Sequence, residues 1–428
     1  MNENIINVPE VVDHLFRYQT GQVVASLTRI FGAEHLDLVE DVVQDTLIKA
    51  LRVWPFGGVP DNPAGWIMRT AKNGVLDVLR REKSLRDKQD EIARLPEYSP
   101  TRVEENGAFD ERDLGDDQLG MMFMCCHPAL SRPARVALTL KTLGGFGVPE
   151  IASAFLVEET TIAQRLVRAK RTLREMKVHF EMPESEELPA RLDSVLDVLY
   201  LLFNEGYSAH KGEDLIRQDL CEEAIRLTYI LAKRPVGDTP KVHALLALML
   251  LQASRLPART DDDGEILLLE EQDRSLWDHT LINMGLIELA RSAEGDKISA
   301  YHLQAGIAYY HACAANYEET DWPGILVQYD DLMEVAPSPV VALNRAVVLA
   351  KVYGPKIGLR ELERIYTMQS MGQYYLFHAT RAELCKQSDD IAGAVLAYRS
   401  ALDLAITAPE QRFLARKLAE CEENSKSQ

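Results

Sequence analysis

Cysteine is sparse and scattered: 6 residues among 428, at positions 125, 126, 221, 313, 385 and 421, with no C-x-x-C pair. That excludes a disulfide framework and a zinc ribbon. Cys125-Cys126-His127 sets soft donors side by side, yet helix neighbours diverge by about 100° and no second ligand pair stands at a matching spacing, so neither a metal nor any other cofactor is expected. Long apolar runs are also missing. The longest, Ala244–Leu251, is far shorter than the ~18 residues needed to span a bilayer. Glu3 and Glu10 stand where a secretory leader carries cations, which predicts a cytoplasmic chain. Cations are in deficit, 47 Lys and Arg against 66 Asp and Glu, for a net charge of −19. A protein that coats nucleic acid indiscriminately is excluded, because phosphate contacts need positive charge. No nucleophile, base and orienting group stand at suggestive spacing, even around the acidic stretch Asp261–Glu271, so no enzyme is expected. Asp261-Asp262-Asp263-Gly264 lacks the other ligands of a calcium loop and reads as a solvated turn.

The charge is not uniform. Between Ser131 and Lys177 stand Arg132, Arg135, Lys141, Arg165, Arg168, Lys170, Arg171, Arg174 and Lys177, against Glu150, Glu158, Glu159 and Glu175. Excess acid gathers instead at Asp90–Asp117 and Asp261–Asp273. A local basic patch on an acidic chain suits binding to one selected site. Within this region, Pro149 opens a short helix with Ile151, Ala152 and Phe155 on its apolar face, Leu156–Glu158 breaks it, and a second helix buries Ile162, Leu166 and Ala169. Its outward residues are Thr160, Thr161, Gln164, Arg165, Arg168 and Arg171, with Lys170 beside them. This is a helix-turn-helix pattern: such a helix fits the major groove, where Gln and Arg read base edges and Thr, Lys and Arg hold phosphates. The bland alternative is a helical hairpin with a solvated basic face.

The preceding part of the chain is helical in period. Val11, Leu15, Val23, Val24, Leu27 and Ile30 give one apolar face, with Gly32 as a stop. From Leu38 to Pro55 a second helix can bury Val39, Val42, Val43, Thr46, Leu47 and Ala50, leaving Asp41, Gln44, Asp45 and Lys49 outside. FGGVPDNP is a loop. A third helix, Ala64–Arg86, has Ile67, Ala71, Val75, Val78 and Leu79 on its core side and Trp66, Arg69, Thr70, Lys72, Asn73, Arg80 and Arg81 on an aromatic and basic one. Rings beside cations suit single-stranded nucleic acid, whose bases stack while its backbone follows the charge. Trp66 alone would read as core.

Glu40-Asp41-Val42-Val43-Gln44-Asp45-Thr46, then Trp66, then Ala71-x-Asn73-x-x-x-Asp77-x-x-Arg80-Arg81, an acidic linker and the helix-turn-helix together resemble a sigma-70-family factor of the extracytoplasmic-function group, over residues from about Glu10 to Phe180. The resemblance implies that Asp41, Gln44, Asp45 and Lys49 contact RNA polymerase core. It also implies that Trp66, Arg69, Thr70, Lys72, Asn73, Arg80 and Arg81 engage the melted −10 promoter element, and that Thr160, Thr161, Gln164, Arg165, Arg168, Lys170 and Arg171 enter the duplex at the −35 element. The domain layout so implied is sigma region 2 at 8–87, an acidic linker at 88–118 and sigma region 4 at 119–181. The linker would thread the polymerase cleft.

Beyond the acidic Glu184–Glu187, one helical segment follows another, with Gly206, Pro235 and Pro240 marking turns. From Ala300 a weak repeat emerges: Ala312, Ala346 and Ala382 recur with Gly324, Gly358 and Ala394, and Tyr398 and Ala401 complete a tetratricopeptide-like pattern. A helical domain is expected at 188–295 and TPR-like repeats at 296–423. The extension is similar to that of one sigma-factor subgroup, which implies a regulatory part facing a protein or small-molecule regulator. The expected fold class is all-α throughout, and the expected function is a sigma factor. The alternative is a helix-turn-helix regulator on a helical-repeat scaffold that is not a polymerase subunit.

Overall fold

The structure, a computed structural model, describes residues 8–89, 111–155, 157–178, 180, 183, 186–207, 217–261, 265–366 and 371–426. Among these residues it contains helices and a single isolated bridge, Thr260 to Ile266, and no strand. The chain forms two compact units, Met1–Val198 and Leu199–Gln428.

The first unit holds α1 (Val8–Phe31), α2 (Leu36–Gly57), α3 (Pro63–Gln89), α4 (Glu111–Cys125), α5 (Arg132–Thr142), α6 (Val148–Phe155), α7 (Glu159–Glu175) and the opening of α8 (Leu188–Tyr207). Gly32 ends α1 as expected, with φ of 97° that a side chain would resist. The expected contacts of Val11 and Leu15 lie outside the described side chains, whereas Val23, Val24 and Leu27 are buried. α2 continues through Pro55 and stops at Gly58, so the loop starts later than the sequence indicates. A proline is tolerable there because only the final turn loses a bond.

The two expected sigma domains lie within one compact unit. α1 packs on α4 and α5, and Gly21 approaches so closely that a Cβ would run into the Leu143 carbonyl. Gly21→Ala should therefore overpack this crossing and cost about 1–3 kcal/mol, read from the midpoint of urea unfolding. The expected tether at 88–118 needs correction at its end. Residues 90–110 lie outside the described residues, but Glu111–Gln118 belongs to α4, and Asp117 is buried. Its carboxylate accepts from Ser26 Oγ at 2.6 Å and pairs with Arg29 Nε at 2.5 Å, so this acid fastens α4 to α1. The unit also takes in the start of α8. Arg191 donates to the Phe123 carbonyl at 2.8 Å, Ser194 to that of Cys126 at 2.7 Å, and Arg132 meets Asp197 at 3.1 Å, which draws the start of α8 into the first unit.

The second unit continues α8 and adds α9 (Gln218–Ala232), α10 (Pro240–Ala253), α11 (His279–Ser292), α12 (Ala300–Cys313), α13 (Trp322–Val335), α14 (Pro339–Tyr353), α15 (Pro355–Tyr366), α16 (Tyr375–Gln387), α17 (Ile391–Leu404) and α18 (Ala408–Lys426). α10 is buried throughout from Val242 to Leu251 and, His243 apart, apolar over that span. Side chains cap several of the others: Asp278, Asp321, Ser338 and Asp390 each accept from a backbone N–H of the first turn. Of the small residues of the repeat, Ala346, Gly358, Ala382 and Ala394 are buried inside the hairpins α14–α15 and α16–α17, whereas Ala312 on α12 and Gly324 on α13 are half-buried; a Cβ on Gly358 would lie 2.6 Å from that of Ala350. Tyr398 and Ala401 are buried beside them. The acidic turn 262–264 lies outside the described residues.

Candidate nucleic-acid interface

α5, α6 and α7 form the helix-turn-helix. Pro133 starts α5, where a missing N–H costs nothing, and Glu150 accepts from the Gly147 N–H at 2.6 Å at the entry to α6. Ile151 and Ala152 are buried on α6. Of the intervening turn, Leu156 lies outside the described residues, and α7 begins after the extended Glu158. α7 buries Ile162, Leu166, Ala169 and Leu173 at helical spacing against α5 and α6. Its opposite side presents Thr160, Thr161, Gln164, Arg168 and Arg171 to solvent, with Arg165 half-buried. Val167, 66 % exposed, adds an apolar surface to that side that charge patterning gave no reason to single out. Arg171 lies 3.5 Å from Glu175, an exposed pair of little energetic weight.

Lys170 does not join that face. Four residues after Leu166, it falls on the flank of α7 that meets α2, and its ammonium donates to Glu40 Oε2 at 2.5 Å and Asp37 Oδ1 at 2.7 Å. Only 13 % of Lys170 and 10 % of Glu40 are exposed. Arg174 reaches Asp37 Oδ2 at 2.9 Å, so the end of the recognition helix is tied to the start of α2. Burial pushes the Glu40 carboxyl above the usual carboxylate range, and Lys170 opposes this only in part. Burial alone would lower the Lys170 ammonium, but the attraction of Glu40 and Asp37 outweighs it and leaves its pKa raised.

On α2, burying Val39, Val43, Thr46, Leu47 and Ala50 turns Asp41, Gln44, Asp45 and Lys49 outward, and all four are exposed. Beside them lie Ile48, Leu51, Val53 and Phe56, the last 93 % exposed. This apolar strip was not legible as a surface, because the same residues would fit a core equally well. Exposed large apolar side chains among acidic ones mark a docking surface for another protein.

On α3, Ile67, Ala71 and Val75 are buried, while Arg69, Asn73, Arg80 and Arg81 are exposed. Thr70 and Lys72 are half-buried. Trp66 is half-buried as well, in a T-shaped contact with the buried ring of Trp54 at 5.4 Å, so it is packed on one side and partly open to solvent. Trp54, which the sequence reading did not single out, is thus the support for Trp66.

Cys125 and Cys126 are both buried, with Sγ atoms 3.0 Å from Thr142 Oγ1 and 3.7 Å from Thr139 Oγ1 respectively. Burial raises both thiols, Cys126 to about 12, so they are packed, unreactive groups. His127 faces elsewhere, its Nδ1 accepting from the Ala129 N–H at 3.2 Å. Among the described residues no group of His, Cys, Asp and Glu could hold a metal ion, and no helix is long and apolar enough to cross a membrane.

Comparison with known proteins divides the chain in the same order. The family profile of sigma-70 region 2 matches residues 15–85, that of sigma-70 region 4 matches 120–173, and that of a family of unknown function, DUF6596, matches 191–293. An uncharacterized protein of Rhizobium meliloti is 36 % identical over 402 residues, covering 93 % of this chain and 92 % of its own length. The ECF RNA polymerase sigma factor SigE of Mycolicibacterium smegmatis is 28 % identical over 163 residues, which is 38 % of this chain and 60 % of that protein. No solved structure matches the chain.

Proposed function

Because the chain belongs to the sigma-70 family of sigma factors, we propose that it docks on RNA polymerase core, directs promoter-specific initiation, and carries a fused regulatory domain behind its promoter-reading part. The observation that carries this reading is the coexistence, in one unit, of an exposed acidic and apolar face on α2 with two basic faces on α3 and α7. A regulator that only docks on DNA has no use for the α2 face or for the aromatic and basic face of α3. In the proposed role Asp41, Gln44, Asp45 and Lys49 meet polymerase, together with Ile48 and Phe56. Trp66, Arg69, Thr70, Lys72, Asn73, Arg80 and Arg81 engage the melted −10 strand, where unpaired bases stack on a ring and the backbone follows the cations. Thr160, Thr161, Gln164, Arg165, Arg168 and Arg171 read the −35 duplex. Lys170 joins them only once it has left Glu40. The chain itself carries out no covalent step and works in the cytoplasm, alongside the polymerase.

The test is transcription in vitro. Purified protein added to core polymerase should yield discrete transcripts from DNA fragments that the protein itself selects, and no stimulation above core alone would overturn the reading in favour of a helix-turn-helix regulator. Arg165→Ala and Arg168→Ala should each weaken −35 duplex binding by about 1–3 kcal/mol, measured by fluorescence anisotropy at fixed salt. If these side chains read bases, the loss will be concentrated on the selected sequence. An equal loss on unrelated duplexes would restrict them to phosphate contacts.

A further inference from the structure

In the second unit, Arg255, Arg259 and Arg274 gather around the irregular segments between α10 and α11, close enough that Arg255 depresses the pKa of each of the other two, after the larger effect of burial. None of the three is ion-paired among the described residues. Arg255 reaches only the amide oxygen of Gln272, at 3.3 and 3.4 Å; Arg259 donates to the Tyr207 carbonyl; Arg274 Nη1 serves the carbonyls of His311 and Ala314 at 2.7 Å each. Glu318 attracts Arg274 without pairing with it. In a chain of net charge −19, an arginine cluster that finds no ion pair among the described residues is an arrangement that packing of those residues gives no reason to keep.

Three polar atoms of these neighbouring residues have no partner. Arg274 Nη2, Trp277 Nε1 and His311 Nδ1 are all buried and all without a hydrogen-bond partner. Trp277 is 3 % exposed, and the guanidinium groups of Arg255 and Arg274 lie 5.4 and 4.6 Å from the centre of its ring. Burial and then the two arginines push the His311 imidazole down to about 3, so it stays neutral and leaves one ring nitrogen to donate or accept. Arg255, Arg274, His311 and Trp322 are half-buried and hence partly open to solvent. Positive charge without ion pairs among the described residues and buried polar atoms without partners thus stand on neighbouring, partly open residues, and a bound acceptor removes the cost of leaving a buried donor unpaired.

We propose that this cluster is a binding site for the oxyanion group of a small soluble ligand, a carboxylate or a phosphate, which the guanidinium groups of Arg255 and Arg274 and the indole N–H of Trp277 hold. Both chemistries offer the negative, multidentate acceptor that arginine forks match. The site lies wholly within the second unit and does not depend on how the first unit contacts DNA or polymerase.

The full chain is titrated with inorganic phosphate and, separately, with citrate, against chloride at matched ionic strength, by calorimetry and by tryptophan fluorescence. The expected result is saturable, one-to-one binding of at least one probe with a rise in Tm. Binding of phosphate alone assigns a phosphoryl ligand, binding of citrate alone a carboxylate, and binding of both the shared oxyanion. Arg255→Gln should weaken that binding about ten- to a hundredfold, as loss of a charged hydrogen bond does. It should leave the Tm of the ligand-free chain unchanged or raised, since it relieves repulsion. Trp277→Phe, which keeps a ring and removes the N–H, should weaken binding with little change in ligand-free melting. Heats and fluorescence that follow chloride for both probes would overturn the site, as would binding unaffected by the two substitutions.

Discussion

Replacing Lys170 with methionine is expected to destabilise the first unit by about 3–5 kcal/mol, the usual cost of removing one partner of a buried ion pair. Glu40 would lose its counter-charge in a place where little of it meets water, and its Oε1 already lacks a partner. Arg174 would still hold the exposed Asp37, so the loss concentrates on Glu40. Its sign can be checked by pH. Burial raises the Glu40 carboxyl above the 4.5 of a free glutamate, so its protonated form is the one the fold favours. The stability linked to it is present below the unfolded pKa and is lost as pH rises through the folded one. Removing Lys170 raises that folded pKa further. The deficit in Tm should therefore be largest at neutral and alkaline pH and shrink as pH falls toward 4.5. Adding Glu40→Gln to Lys170→Met should recover most of the loss, because a neutral amide there tolerates burial far better than an unpaired carboxylate. A melting curve unchanged by Lys170→Met, or a deficit independent of pH, would show that the pair carries no such weight.

Trp54→Ala should rank beside it, at about 3–5 kcal/mol by the rule for emptying a large aromatic site. The ring is fully enclosed where α2 meets α3, and its removal also takes away the contact on which Trp66 rests. The informative contrast is with Trp66→Ala. That change removes a half-buried ring and should cost appreciably less stability, while in the proposed role it strongly reduces strand opening at the −10 element. Permanganate footprinting of thymines in polymerase complexes would register the opening, with thermal melting of the same variants as the control. Should Trp66→Ala lower the melting temperature as much as Trp54→Ala, with opening reduced only in proportion, the ring would be a core residue and no more.

The residues that proved easiest to place from sequence are those governed by the helical repeat. Ile162, Leu166 and Ala169, like Val39, Val43 and Leu47, are buried as their spacing predicts, because an apolar stripe needs only its own helix to define it. Lys170 was not legible in this way. Its orientation depends on carboxylates about 130 positions away, and nothing in the spacing of α7 separates a cation that faces DNA from one that faces Glu40. Asp117 is a similar case: acidic surroundings put it in the linker at 88–118, yet Ser26 and Arg29 draw it inside. The arginine cluster of the second unit was hidden for another reason. Its members stand on irregular backbone and on separate helices, where no period links 255, 274 and 311.

The attachment of α7 to α2 has a geometric consequence for the proposed role. Promoter elements centred near −35 and −10 are separated by about 25 base pairs, or roughly 85 Å of duplex at 3.4 Å per pair. A compact body of the size of Met1–Val198 has a radius of gyration of only about 16 Å. As folded here it is a carpenter's rule with its arms shut, too short to touch both marks. Unfolding the rule means pulling Lys170 out of the grip of Glu40 and parting α1 from α4 and α5, and if the Lys170 contact contributes about 3 kcal/mol, it alone favours the shut form by roughly a hundredfold before polymerase or DNA intervenes.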